Sequence, residues 1–162
     1  MIDVQDIVLK VKKDILLDHV SYQCQDGLIH GIVGRNGSIP YYSGYQNLKI
    51  LADIQGKVSK KRICQIMEQV GLNPRERKCM KKYSLGMRQR LGIAQALMED
   101  QELIVLDEPF NGLDKNGVSE MREYFMQLKE KGKTILISSH NSDDINYLCD
   151  TIIEMDKGRI VR

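Results

Sequence analysis

The adjacent carboxylates Asp107 and Glu108 are the residues of this sequence best suited to chemistry. They follow the apolar run 103–106, which is typical of a strand buried on both faces of a parallel sheet. Acidic residues at the carboxyl end of such a strand face the crevice where open α/β sheets bind ligands. A hard oxygen ligand beside a general base suits Mg²⁺-dependent nucleotide hydrolysis. The alternative is a strand that runs into a polar loop, with both acids simply solvated.

Further candidate residues lie on either side of the acid pair. Ser84 and Gly86 stand where a helix is predicted to begin, and the unpaired N–H groups of a helix N-terminus favour a phosphate. His140 follows an apolar strand candidate, where a histidine is either structural or within reach of a bound phosphate. Asp114 precedes another predicted helix, so it is its N-cap, a site residue, or both.

The Gly-rich segment 34–38 begins a phosphate-binding loop but does not complete it. It follows the strand candidate 28–33, as the loop G-x-x-x-x-G-K-[ST] should. The next residues should be Gly, Lys and Thr or Ser, whereas residues 39–41 are Ile-Pro-Tyr. The lysine for the β- and γ-phosphates is therefore absent. The residues of this loop that remain as candidates for phosphate binding are Gly34, Asn36, Gly37 and Ser38.

These candidate residues must be positioned by helices and strands, and the sequence pattern of those elements predicts an α/β fold. Alternating patterns predict an N-terminal β region, and a helical period runs from Tyr45 to Leu97. Most methionines fall on helical stripes, which indicates core packing. Strands and helices then alternate as βαβαβ, which is an α/β layer architecture. The predicted strands are 2–11, 15–24, 103–107 and 134–138, the later helices are 115–131 and 142–148, and a hairpin has arms 151–156 and 159–161.

The composition excludes several classes of protein. A chain of 162 residues with 42% hydrophobic and 28% charged residues fits one globular domain. A net charge of +2 gives no strong field toward nucleic acid. No apolar run approaches the ~20 residues of a membrane span, and no signal segment is evident at the N-terminus. The four cysteines form no CxxC pair, so unpaired thiols in a reducing cytosol are expected.

Four segments together resemble the ATP-binding cassette (ABC) ATPases. Segment 83–90, Tyr-Ser-Leu-Gly-Met-Arg-Gln-Arg, resembles their signature motif in its Ser-x-Gly form. Its glutamine stands 18 residues before the first carboxylate of the acid pair, a separation that this family also shows. Segment 103–108 resembles the Walker B strand, 112–114 the D-loop, and 138–140 the switch histidine. The resemblance covers almost the whole chain.

The resemblance implies a role for each candidate residue. Asp107 would hold Mg²⁺ through water, Glu108 would polarise the attacking water as the catalytic base, and His140 would contact the γ-phosphate of ATP. ABC ATPases work as head-to-tail dimers in which each signature motif completes the partner's ATP site. Ser84 and Gly86 would therefore serve the partner's ATP, with Asp114 in the D-loop.

The resemblance also implies an architecture and partners. The fold would be the P-loop NTPase type, with a parallel-sheet core, an N-terminal antiparallel β region and a helical subdomain. Residues 1–162 would form one domain, comprising 1–38 with the truncated phosphate loop, 39–97 with the signature motif, and 98–162 with the α/β part. The chain would lie on the cytoplasmic face of a membrane, bound to a permease on a separate chain, with no nucleic acid partner.

A few tens of residues are missing between Ser38 and Ile39 by comparison with the family. They include the helix after the phosphate loop and the glutamine loop, which Gln46 stands too late to replace. We expect exposed apolar surface on the sheet, weak or absent ATP binding, and no ATPase activity from this chain alone.

The aromatic segment 39–45 has two interpretations. It either faces a membrane partner, as in the helical subdomain of the family, or is partly buried packing. Together with Tyr-Ser-Leu-Gly-Met it resembles cassettes of antimicrobial-peptide and small-drug exporters. The function implied is ATP binding and hydrolysis that energises export. The alternatives are a non-catalytic cassette that docks on a permease or an intact ATPase, and an ABC-type DNA-repair ATPase, which the lack of sustained heptads disfavours.

Overall fold

The computed structural model describes residues 2–11, 14–24, 39–56, 58–153, 155–156 and 159–160. The chain divides into two compact units, Met1–Gly37 and Ser38–Arg162. The boundary between them falls one residue before the junction at which the phosphate-loop pattern breaks off. The predicted strand 28–33 and the Gly-rich segment 34–38 lie outside the described residues. The single-domain organisation stays a prediction.

The first unit contains an antiparallel pair of strands, as predicted. Strand β1 (Ile2–Val11) pairs with β2 (Asp14–Cys24), with Val11 opposite Asp14 at the turn end. The register shifts between Val4 and Ile7. Asp6 lies inside that interval with a φ of 50°, which is the kind of local irregularity that a β-bulge introduces.

The second unit begins with a helical part whose helices start at serine caps. In each cap a serine hydroxyl oxygen accepts a hydrogen bond from a backbone N–H three residues on, which satisfies one of the donors left over at a helix start. These helices are α1 (Gly44–Gln55), α2 (Lys60–Gln69) and α3 (Leu85–Leu97), and the capping serines are Ser43, Ser59 and Ser84. A short 3₁₀ turn, Met80–Lys82, precedes α3.

The helical part packs around the apolar stripes that the sequence predicts. The buried side chains on these helices include Leu48, Ala52, Ile63, Ile66, Met67, Leu91, Ile93, Ala94 and Leu97. Met67, Met98 and Met121 are all buried, which confirms the interpretation of the methionines as core packing. Gly71 follows α2 with a φ of 75°, a backbone conformation that suits glycine at a helix end.

The α/β part follows, built on two parallel strands. Strand β3 (Leu103–Asp107) pairs in parallel with β4 (Thr134–Ser138), and helix α4 (Lys115–Glu130) connects them. Met121, Tyr124, Phe125 and Leu128 form the buried face of α4. Helix α5 (Ser142–Leu148) follows β4. The predicted terminal hairpin has shorter arms, β5 (Met155–Asp156) and β6 (Arg159–Ile160), which pair only with each other among the described residues.

The prediction that β3 is buried on both faces is wrong. Ile104 and Leu106 are buried, whereas Leu103 and Val105 are 57% and 62% exposed. On β4, Leu136 is also 59% exposed. Successive side chains of a strand point to opposite faces of the sheet, and among the described residues helices cover only one of these faces. The expectation of exposed apolar surface on the sheet is confirmed.

Within the described part of the chain, none of the helices combines the length and the apolar character needed to cross a membrane. Cys64, Cys79 and Cys149 are free thiols, in agreement with the cysteine pattern.

Candidate functional site

The parallel register of β3 and β4 brings the acid pair to the end of the neighbouring strand. Asp107 pairs with Ser138, and the Ser138 hydroxyl donates to the Asp107 carboxylate oxygen Oδ1. The Glu108 amide donates to the Ser138 carbonyl oxygen at 2.9 Å, which extends the ladder by one residue. The carboxyl ends of both strands therefore form one site, as expected for an α/β sheet.

Glu108 contacts His140 directly. Its oxygen Oε1 accepts from the His140 amide at 3.0 Å and lies 2.7 Å from the ring nitrogen Nδ1. The hydrogen bond to Glu108 and then the charge of its carboxylate raise the pKa of His140, and Asp144 adds to this against a small opposing effect of burial. The side chain of His140 is 78% exposed and that of Glu108 is 30% exposed. The pair is therefore open to a ligand and favours a protonated imidazole.

Glu108 adopts a left-handed backbone conformation with a φ of 45°. A residue with a Cβ pays roughly 1–2 kcal/mol for this conformation, so its surroundings must hold it there. The chain beyond it is anchored by the buried Pro109 and by Phe110, whose ring lies 5.7 Å from that of Phe125. The Glu108 carbonyl oxygen accepts from the side-chain amide of Gln89 at 3.0 Å.

The predicted signature segment and D-loop lie against each other. A Cβ added to Gly86 would come within 2.8 Å of the Gly112 carbonyl oxygen. Gly112 has a φ of 78°, and a Cβ there would come within 2.4 Å of Cγ of Leu85. Both positions therefore require glycine for close approach. Ser84 is exposed and caps α3, with its hydroxyl oxygen accepting from the Met87 amide at 3.1 Å.

Asp114 acts as the N-cap of α4. Its oxygen Oδ1 accepts from the Gly117 amide at 2.9 Å. The capping role that the sequence suggested is confirmed, and the D-loop role stays a prediction.

The donor set at the strand ends fits a magnesium ion that arrives with phosphates. In the described ranges, no group of three or more His, Cys, Asp or Glu side chains could hold a metal ion. The exposed Asp107 carboxylate, beside the Ser138 hydroxyl, supplies hard oxygen atoms. Mg²⁺ usually keeps several waters and binds through one or two carboxylates and substrate phosphates, so a protein cage is not required.

The chain just after the junction is fixed within the helical part. Ile39 is buried, and its amide donates to Oδ1 of Asn47 at 2.6 Å. The Asn47 side-chain amide donates to the carbonyl oxygens of Ile39 and Ser43, at 3.2 and 2.9 Å. The side chain of Gln46 completes the capping box of α1 by accepting from the Ser43 amide at 2.9 Å. Each of these residues therefore serves the start of α1.

The aromatic segment is partly buried and partly exposed, and its interpretation as a surface that faces a membrane partner stays a prediction. Tyr41 is 69% exposed, with the Lys81 ammonium 6.0 Å from its ring centroid, while Tyr42 and Tyr45 are half-buried. The nearby Tyr83 is buried and accepts from the Gly44 amide at 3.1 Å. Burial raises the pKa of Tyr83.

The structure thus brings Asp107, Glu108 and His140 into one site and packs Gly86 against the loop that leads to Asp114. The remnant phosphate-loop residues Gly34, Asn36, Gly37 and Ser38 lie outside the described residues. Sequence reasoning missed the role of Gln89, although it lies inside the signature segment, because its partner is a backbone oxygen that no side-chain pattern reveals.

Comparison with known proteins places these features in context. The model of the ABC transporter family matches residues 40–111. The ABC transporter ATP-binding protein YybJ of Bacillus subtilis (strain 168) is 33% identical, over 99% of this chain and 94% of YybJ. The bacitracin transport ATP-binding protein BcrA of Enterococcus faecalis is 47% identical over 82% of this chain. The dimeric structure of MJ0796, a bacterial ABC transporter cassette, has a TM-score of 0.70 at 18% identity and covers 100% of this chain and 97% of its own.

The lengths of these alignments show that this chain is short. The alignment with YybJ extends over 206 positions, whereas the chain has 162 residues. At least 44 positions of YybJ inside the aligned span therefore have no counterpart here. The chain spans 46% of the length of BcrA.

Proposed function

This chain belongs to the family of ABC transporter ATP-binding proteins, and from that premise we propose that it is a transporter's ATP-handling subunit whose own phosphate site is broken. The observation that carries the proposal is the contact of Glu108 with His140 at the ends of the parallel strands. In this proposal Glu108 is the catalytic base and His140 is the γ-phosphate contact, and the 2.7 Å contact between their side chains supports a shared site.

Within such a site each residue has a distinct task. Glu108 accepts a hydrogen bond from the water that attacks the γ-phosphate, while its contact with His140 orients the carboxylate. His140 would donate a hydrogen bond to the γ-phosphate, and the raised pKa of His140 favours its protonated form. Asp107 would hold Mg²⁺, which would supply positive charge against the phosphates.

The phosphate cradle is the part that this chain lacks. A P-loop holds the β- and γ-phosphates with backbone amides and a lysine, and the sequence departs from that pattern at Ile39. The match to the family model begins at residue 40, just past the junction. We expect ATP to bind weakly or not at all, so that the acid pair has no phosphate to act on.

ATP turnover by the purified chain tests the proposal. We expect no turnover above that of the Glu108→Gln variant, and no retention of a fluorescent ATP analogue. Insertion of the corresponding YybJ segment between Ser38 and Ile39 should restore both, and Glu108→Gln in that longer chain should abolish turnover again. Turnover by the original chain that disappears in Glu108→Gln would contradict the broken phosphate site.

A second candidate function is docking on an intact cassette. Its support is the intact start of α3, where Ser84 is exposed and Gly86 is packed on the Gly112 carbonyl. In a head-to-tail dimer this segment needs no phosphate loop of its own, because it would complete an ATP site held by the partner. The chain would then supply the signature segment of one working ATP site in an asymmetric pair.

The remaining parts of the proposal concern cargo and location. BcrA is named for bacitracin transport, and we propose an antimicrobial peptide or small drug as the exported cargo of this chain's transporter. The permease would be a separate chain, and this subunit would lie on the cytoplasmic face of the membrane. The exposed Tyr41 beside Lys81 belongs to the segment proposed to face that permease. Co-purification with a permease of the same operon would test this assignment.

A further inference from the structure

We propose that Gln89 is a positioning residue for Glu108, and that it links the start of helix α3 to the catalytic carboxylate of the same chain. The inference rests on the proposed function, which assigns Glu108 as the catalytic base. Its structural basis is the hydrogen bond from Nε2 of Gln89 to the Glu108 carbonyl oxygen, at 3.0 Å across 19 residues of sequence.

The backbone of Glu108 is strained and is held from both sides. On the amino side, its amide donates to the Ser138 carbonyl oxygen at 2.9 Å. On the carboxyl side, its carbonyl oxygen accepts from Gln89 and from the Asn111 amide, the latter at 3.2 Å. A carbonyl oxygen has two lone pairs, so it accommodates both donors. These bonds orient the two peptide planes that flank Glu108, and together those planes determine its φ and ψ.

The direction of the Glu108 side chain follows from these dihedral angles. With a φ of 45°, the residue ends β3 and turns its carboxylate onto His140, where Oε1 meets both the amide and Nδ1. An unstrained conformation would point the Cβ of Glu108 elsewhere, and the contact with His140 would be lost. The Asn111 bond lies within the same turn, so Gln89 is the donor that ties this carbonyl to another element.

Gln89 is well placed to transmit a displacement of α3. It lies one turn into the helix, half-buried, and the helix start is seated on the loop after Glu108 through the close approach of Gly86 to Gly112. Two contacts therefore join α3 to the segment 108–112, one at a backbone and one at a side-chain amide. A ligand that shifts the start of α3 would move the Glu108 carbonyl with it.

The amide proton of His140 offers a direct test that needs no nucleotide. The test compares the NMR chemical shift and hydrogen-exchange protection of this amide in the full chain and in Gln89→Met, which keeps length but removes the donor. Glu108→Ala gives the reference for a lost carboxylate contact. Gln95→Met, an exposed position on the same helix, is the matched control.

We expect the His140 amide in Gln89→Met to move most of the way to its position in Glu108→Ala, while Gln95→Met leaves it in place. Gln89→Leu serves as a second variant if Gln89→Met does not fold. A folded Gln89 variant with an unchanged His140 amide would overturn the inference. Failure of both variants to fold would overturn it as well, because Gln89 would then be required for the fold. Absence of ATP binding bears only on the proposed function.

Discussion

Glu108 and His140 form a pair whose strength depends on pH. The hydrogen bond and the charge of Glu108 raise the pKa of His140 above its ordinary value of about 6.5. In the unfolded chain this histidine has lost its partner. The folded chain therefore binds this proton more tightly than the unfolded chain does. The resulting stabilisation of the folded state is fully present below about pH 6.5 and is lost as the pH rises through the folded-state pKa of His140.

We predict that Glu108→Gln lowers the pKa of His140 toward its ordinary value and removes most of this pH dependence of stability, with the charge of Asp144 left to raise the pKa. The matched control is Asp143→Asn, which changes an exposed carboxylate at the start of α5 that does not contact His140. NMR titration of the His140 ring in the three proteins gives the pKa values, and unfolding in denaturant between pH 6 and 8 gives the stabilities. Equal pKa values in wild type and Glu108→Gln would show that the pair is not formed in solution.

The types and order of the site residues could be predicted from the sequence, but their mutual contacts could not. Asp107, Glu108 and His140 could be identified as candidates because each follows an apolar strand. The direct bond of Glu108 to His140 depends on a left-handed φ at a glutamate, which no residue preference predicts. For Asp114, the sequence allowed two roles, and geometry confirms the cap.

At the scale of elements, the helix and strand positions follow from local signals. The helical period predicted from Tyr45 to Leu97 covers α1 to α3, and the predicted helices 115–131 and 142–148 agree closely with α4 and α5, because apolar periodicity is a signal that lies within each element. The burial of β3 does not follow from local signals. An apolar run shows that a strand can be buried on both faces of a sheet. Whether both faces are buried depends on helices or strands from elsewhere in the chain that pack against them. In this shortened chain one of the layers is absent from the described residues.

The exposed face of β3 and β4 should tolerate polar substitution, in contrast to the buried face. We predict that Val105→Thr changes the free energy of unfolding by no more than about 0.5 kcal/mol and reduces self-association. Ile104→Thr, its neighbour with 3% exposure, should cost about 2–3 kcal/mol because a hydroxyl enters the core and a packed group is lost. Denaturant unfolding and light scattering measure the two effects. Similar costs at both positions would mean that the face of Val105 is covered in solution.

At the scale of the whole molecule, the intact signature segment and the broken phosphate loop favour an asymmetric assembly. One ATP site of a head-to-tail pair needs the phosphate loop of one chain and the signature of the other. The sequence of this chain keeps the signature segment and departs from the phosphate-loop pattern at Ile39. On the docking proposal, the relevant ATP would be one that an intact cassette brings.

We predict ATP-dependent association with an intact cassette, such as YybJ with its own catalytic glutamate replaced by glutamine to prevent turnover. Ser84→Glu in this chain should weaken that association at least about tenfold, because a carboxylate at the start of α3 repels phosphate. Ser59→Glu, which changes the equivalent cap of α2, is the matched control. Analytical ultracentrifugation with and without ATP measures the complex, and equal effects of the two substitutions would exclude the signature segment as the contact.

The clamp between Ile39 and Asn47 has a consequence for how such a chain can arise. Both backbone groups of Ile39 are satisfied by one side chain eight residues further on. These bonds hold the start of the helical part through its own residues. We therefore expect that the segment before Ile39 can be exchanged, by recombination or by design, while helices α1 to α3 remain folded.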